Sequence, residues 1–126
     1  MAKVAPDISL DAYLDFIAEC DRMIACSAEP TTYAEATGTY ALATQAMTPG
    51  DGNGDFTIAP DTSGEKLTMT AKSGVTIDDD GDATHVALAC SSDGSLRYIT
   101  TCTQQTLTSG GTVDFPTWKI NIADPT

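Results

Sequence analysis

The sequence predicts a mainly β fold, a single antiparallel β-sandwich of immunoglobulin-like or jelly-roll-like type with one short N-terminal helix. Three observations carry that expectation. Apolar and polar residues alternate through Val86, Leu88 and Cys90, then through Leu96, Tyr98 and the 100–102 segment, then through Val113, Phe115, Trp118, Ile120 and Ile122. This is the period-two signature of half-buried strands, and such a surface suits stacking against another sheet or another subunit. Upstream, short runs bounded by Gly, Pro or Asp recur at the roughly 8 to 12 residue spacing of sandwiches and barrels. Twenty threonines spread through these runs favour extended backbone, because β-branching suits a pleated surface better than a helix.

The elements follow in order. A chain of 126 residues fits one domain, and a domain near that length hides roughly two-thirds of the surface its unfolded chain exposes. We expect an arm over 1–6, a helix over 7–20, the sandwich over 21–123 and a tail over 124–126. Pro6 precedes Asp7 as N-cap, and Leu10, Tyr13, Leu14 and Ile17 then form one apolar stripe, making the helix a lid. RMIACS reads as a short edge strand and AEPTTYAEA as a surface loop. Tyr40 to Met47 is a strand candidate, and PGDGNGD is a turn. DFTIA, EKLTMTA and GVTI are further strands. The last third supplies three more, ATHVALAC, LRYITTC and the stretch from Val113 to Ile122, after which Pro125 ends any ladder.

Charge narrows the function. Eighteen acidic against six basic residues give a formal charge of −12, so a nucleic acid or an anionic lipid surface is repelled rather than attracted. No apolar run approaches the roughly 20 residues that cross a bilayer. MAKVAPDISL has no apolar h-region, so we expect no signal peptide and folding in the cytosol. Cys20, Cys26, Cys90 and Cys102 match no metal-ligand spacing, and we expect free thiols, with Cys90 and Cys102 as small buried hydrophobes. The alternative is a Cys90 to Cys102 bridge between neighbouring strands.

Three features could carry chemistry. Asp51, Asn53 and Asp55 reproduce the first three oxygen positions of a calcium loop. Phe56 stands where that loop needs Gly and Thr62 where it needs Glu, which excludes an EF-hand and leaves a Gly/Asp/Asn turn or a looser calcium site. Asp78, Asp79, Asp80 and Asp82 repel one another unless solvated or bridged by a cation, so a solvated turn is expected and calcium is the alternative. His85, the only histidine, has no G-x-S-x-G, H-E-x-x-H or C-P-x-x-C companion. Neither a catalytic set nor a cofactor is therefore expected, and a small hydrolase is the least favoured class. Trp118, Tyr98, Tyr40 and Phe115 could stack on sugar rings, although a chain this poor in aromatics needs most of them for its core.

The order LDAYLDFIAEC, PTTYAEA, DFTIAPDTSGEKLTMTAKSGVTI, THVALAC and LRYITTCTQQTLTSGGTVDFPTWKINI resembles a group of small virion structural proteins of tailed bacteriophages. The likeness spans nearly the whole chain and is strongest from THVAL through the LTSGGTV turn. It implies a non-enzymatic capsid decoration, or cement, protein that stabilises the outer shell. The alternative it leaves is a tail, baseplate or receptor-binding component contacting host glycan. Expected partners are the major capsid protein or neighbouring virion proteins and further copies of the chain, in a virion whose proteins fold in the host bacterial cytoplasm. Lys3, Val4, Leu10, Leu14, Tyr40 and Trp118 are the expected assembly contacts, with residues 1–6 reaching a neighbouring subunit.

Overall fold

Nine strands dominate the structure, a computed structural model that describes residues 14–61 and 64–122. Lys3, Val4, Leu10, the arm over 1–6 and the tail over 124–126 lie outside the described residues. A helical segment, α1, covers 14–18. It is followed by β1 (Arg22–Cys26), β2 (Ala41–Ala46), β3 (Phe56–Pro60), β4 (Glu65–Met69), β5 (Lys72–Thr76), β6 (Gly81–Cys90), β7 (Ser95–Leu107), β8 (Thr112–Phe115) and β9 (Trp118–Ile122). All the strand ladders are antiparallel, and they form sheets in the orders β2-β1-β6-β7, β3-β4-β9 and β5-β8. The fold is thus mainly β and sandwich-like, as the sequence predicts.

Register explains the layers. Met23, Leu88 and Tyr98 lie opposite one another across β1, β6 and β7, as do Ala25, Val86 and Thr100. Side chains so paired share a face. That face meets Phe56, Leu67, Met69 and Ile120 of the second sheet in one large core, which Leu14 and Ile17 of α1 close at one end. Full burial of each such side chain contributes roughly 1.5–3 kcal/mol. The helix is the expected lid as far as it is described. Leu14 is fully buried, which withdraws it from the expected surface contacts and makes it part of the core.

The opposite face of the first sheet carries Ile24, Ala87 and Ala89, a smaller cluster covered by Ala36, Tyr33 and Tyr40. Here three expectations need correction. RMIACS is not an edge: β1 lies between β2 and β6, because both of its faces carry apolar side chains with something to bury them. The AEPTTYAEA stretch is not all loop. It enters a wide helical turn through Glu35–Thr39, in which Tyr40 N–H donates to Glu35 O at 2.8 Å. Glu35 N–H donates to Thr32 Oγ1 while the Glu35 carboxylate accepts from Thr31 N–H, an exchange like a capping box that the T-x-x-E spacing encodes.

The stretch from Val113 to Ile122 is two strands rather than one. Pro116 has no N–H to give a ladder and fixes its own φ, so the chain breaks there. β8 pairs with β5 and β9 with β4. The β5-β8 pair is a third sheet joined to the first by the bridge Ala43↔Ile77 beside β2. It rolls back over the inner face until Val113 and Phe115 stand across from β7.

Candidate functional site

β7 is both the longest strand and an edge strand. A half-buried strand should alternate in exposure, but 101–106, the TCTQQT run, is exposed at every position. Both faces of this stretch are therefore uncovered. β8 is likewise at the edge of its sheet, and its Val113, Asp114 and Phe115 stand with Cys102, Thr103, Gln105 and Leu107 of β7 around an open seam on one face of the first sheet. Two adjoining pockets of about 240 and 220 Å³ occupy it. Their floor is small and apolar, Ala25, Ala83 and Val86, and Phe115 and Pro116 form the wall opposite Cys102.

The seam's polar groups lie at its margins. Asp82 accepts from Gln104 Nε2 at 3.0 Å and from Thr106 Oγ1 at 2.8 Å, which ties the exposed side of β7 to β6. Asp114, on β8, accepts from Gly74 N–H at 2.9 Å. Trp118 stands at the other end, its Nε1–H directed to Met23 Sδ at 3.4 Å and its ring 6.1 Å from that of Tyr98. The edge of β7 offers N–H and C=O groups, and the apolar depression beside it takes small apolar groups.

The expected site residues fall elsewhere or do structural work. Asp51 Oδ1 accepts from Ile58 N–H at 2.8 Å, and Asn53 Nδ2 donates to Pro49 O at 2.8 Å. Asp55 is only 8% exposed and accepts from Thr48 N–H at 2.6 Å and Lys72 Nζ at 2.7 Å. Burial pushes its carboxyl up, but the bonds from Lys72 and Thr48 outweigh that and hold it below the usual carboxylate range. Asp80 accepts from Ser109 N–H at 2.6 Å, and Asp78 N–H donates to Leu42 O at 2.7 Å. No three His, Cys, Asp or Glu side chains gather in a cation-holding group among the described residues.

His85 Nδ1 lies 2.9 Å from Thr84 Oγ1, which in turn reaches Ser27 O at 3.1 Å. Of the four aromatics proposed as a sugar platform, Tyr40 packs on the outer face of the first sheet, whereas Phe115 is buried in the main core. The four form no common surface; Phe115 and Trp118 line the seam, and Tyr98 lies against the Trp118 ring.

The cysteines are all free. Cys90 is paired with Ser95, and Cys102 lies seven residues further along β7, about 23 Å away at the strand rise. A disulfide needs Cα atoms within about 7 Å, so the alternative bridge is ruled out. Cys102 is exposed rather than a buried hydrophobe. The seam itself was not foreseen from the sequence. Its one sequence signal is the absence of charge from Tyr98 to Val113 in a chain of net charge −12. No family model, curated protein or solved structure matches the chain.

Proposed function

We propose that the chain is a non-enzymatic structural protein of a tailed-bacteriophage virion, a decoration or cement protein that stabilises the outer shell of the capsid. One observation carries this reading: the uncharged, exposed run of β7 beside an apolar seam is a surface built for protein contact. Large exposed strand edges are normally covered, charged or kept short. Here the run lies on a rigid sandwich-like body, which suits a part whose work is to hold neighbours. The resemblance to phage virion proteins supplies the particle, and the charge of −12 favours its outside, away from packaged DNA. Each contact can be weak, because repetition over a closed shell multiplies it.

A tail, baseplate or receptor-binding part is the second reading. The Tyr98 and Trp118 rings at one end of the seam favour it, since paired aromatics offer a stacking surface to sugar rings. Mass spectrometry of purified heads and tails, with copy number referenced to the major capsid protein, tests both. Hundreds of copies with heads support decoration, a few to a few dozen with tails support the second reading, and absence from both overturns the virion assignment.

A further inference from the structure

The seam is the open end of the main core. Ala25 and Ala83 belong to that core and Val86, Val113 and Trp118 pack against it, yet all of them also line the seam. Between Ala83↔Gln105 and His85↔Thr101, β6 advances two residues and β7 four, so β7 bulges at 102–104 opposite Thr84. Cys102, on that bulge, and the wall of Phe115 and Pro116 bound both pockets. An apolar group entering there would complete a core that the two small alanines leave unfilled.

We propose that the seam takes the side chain of a lysine presented by a partner protein, its aliphatic stem along the apolar floor and its ammonium at Asp114. Asp114 is the one charged residue among the described residues that line the two pockets. Its Oδ1 accepts from Gly74 N–H at 2.9 Å, and its Oδ2 takes no bond among the described residues. One free carboxylate oxygen suits an ammonium, a compact point charge on a flexible stem, better than the two-pronged guanidinium of arginine. A chain of net charge −12 draws cations and repels anionic head groups. Lysine stems bury along apolar surface while the charged head stays at its rim, which is the layout of this cavity.

The assignment of a lysine rests on the seam being a protein-contact surface, whichever particle carries it. Two reporters stand in the site. Trp118 is the only tryptophan of the chain, and Cys102 is its one exposed cysteine.

Hexylamine supplies a stem with a cation, hexanol the stem alone and hexanoate the stem with an anion. At neutral pH, hexylamine should saturably slow the reaction of Cys102 with an uncharged chromogenic disulfide and move Trp118 emission to the blue. It should do so at about a fifth of the concentration that hexanol requires, the effect of one partly exposed ion pair. Hexanoate should do least. In Asp114→Asn, which keeps an acceptor for Gly74, the amine should lose that advantage while hexanol binds as before and the circular dichroism spectrum is unchanged. Equal binding of amine and alcohol by wild type, protection by none of the three, or an advantage that survives Asp114→Asn overturns the site. Acetyl-alanyl-lysyl-alaninamide should also protect Cys102, and the same peptide with acetyllysine should not; amine binding without peptide binding overturns the protein partner. None of these results depends on where the protein sits in a virion, so the head and tail measurement can fail independently of them.

Discussion

Arg97 lies over Phe16, its guanidinium carbon 4.0 Å from the ring centroid, and so fastens β7 to α1 across 81 positions of sequence. The same guanidinium donates to Phe16 O at 2.7 Å, to Glu19 Oε1 at 2.8 Å and to Asp93 Oδ2 at 2.8 Å. Although Arg97 is the covered member, with 6% of its side chain exposed, both carboxylates are more than half open to solvent. The ion pairs are therefore screened, and the stacking and the bond to the helix carbonyl count for more. Phe16 is the one large apolar side chain exposed among the described residues, and the cation above it explains why that is tolerated.

Replacing Arg97 by Ala should destabilise the protein by about 2 kcal/mol, a fall of roughly 6–8 °C in Tm for a domain of this size. Arg97→Lys should recover less than half of that, because an ammonium lacks the planar fork that bonds four acceptors, the Ser95 hydroxyl among them, and stacks at once. Calorimetry of the three proteins checks the order. Equal stability of Arg97→Lys and wild type would show that charge alone matters.

Acid should unfold the protein between about pH 4 and pH 2. Asp93 is held down to about 2, by the Ser95 hydroxyl first and Arg97 second. At Asp21 burial pushes the carboxyl up, but the bonds from Ser91 outweigh it and lower the balance, as those from Lys72 and Thr48 do at Asp55. Carboxyls lowered in the folded state contribute stability that is complete above the unfolded value near 3.9 and is lost as pH falls through the folded values. Lys72→Met should remove the main bond holding Asp55 down, costing about 2 kcal/mol at neutral pH. The acid midpoint of that variant should move upward, as urea unfolding at a series of pH values would record.

Thiol chemistry should separate Cys102 from its three companions. Cys20 is pushed up to about 12 and Cys26 to about 11, in both cases chiefly by burial. Cys102 is exposed, although its thiol is also raised by partial burial. A thiolate is the reacting form, and access decides the rest. Native protein at pH 8 should therefore give one reactive thiol with a chromogenic disulfide, and denatured, unreduced protein four. Two fast thiols in the native state would place a second cysteine at the surface.

Strands were legible in the sequence where burial on one face left its period, as at Leu67 to Met69. What hid was anything decided by long-range closure. β1 looks like an edge because its run is short, yet it is covered on both sides by segments that the local sequence does not announce. The Thr32 to Glu35 spacing was there to be read, but Pro30 and the neighbouring threonines mask it as loop punctuation. At the seam the pattern continued past Thr100 by alternation of types, Cys102 counting as apolar, while the structure leaves that face uncovered. Pro116 was the visible mark that the following strands part company. Of the acidic residues read as calcium ligands, Asp51, Asp55 and Asp80 are, in the fold, acceptors for backbone N–H groups and Asp82 for the side chains of Gln104 and Thr106, uses that the same spacing allows and that only register distinguishes.

The turn carrying Asp51 and Asn53 gives the last prediction. Gly50 has φ +101°, and its N–H donates to Ala18 O at 2.8 Å, which ties the turn to the end of α1. A side chain on Gly50 would adopt a conformation that L residues rarely take, and its Cβ would collide with the Asn53 amide. The strain should cost about 1–3 kcal/mol in Gly50→Ala. Gly52 also has positive φ, at +81°, but nothing lies within 4 Å of its Cβ position, so Gly52→Ala carries the backbone strain without the collision. Asn53→Ala combined with Gly50→Ala should therefore recover part of the loss, less whatever the Asn53 bond to Pro49 O contributes. Thermal unfolding of the two single glycine variants and the double variant decides it. Gly50→Ala no worse than Gly52→Ala would mean that the turn shifts freely and that its tie to Ala18 carries little of the stability of α1.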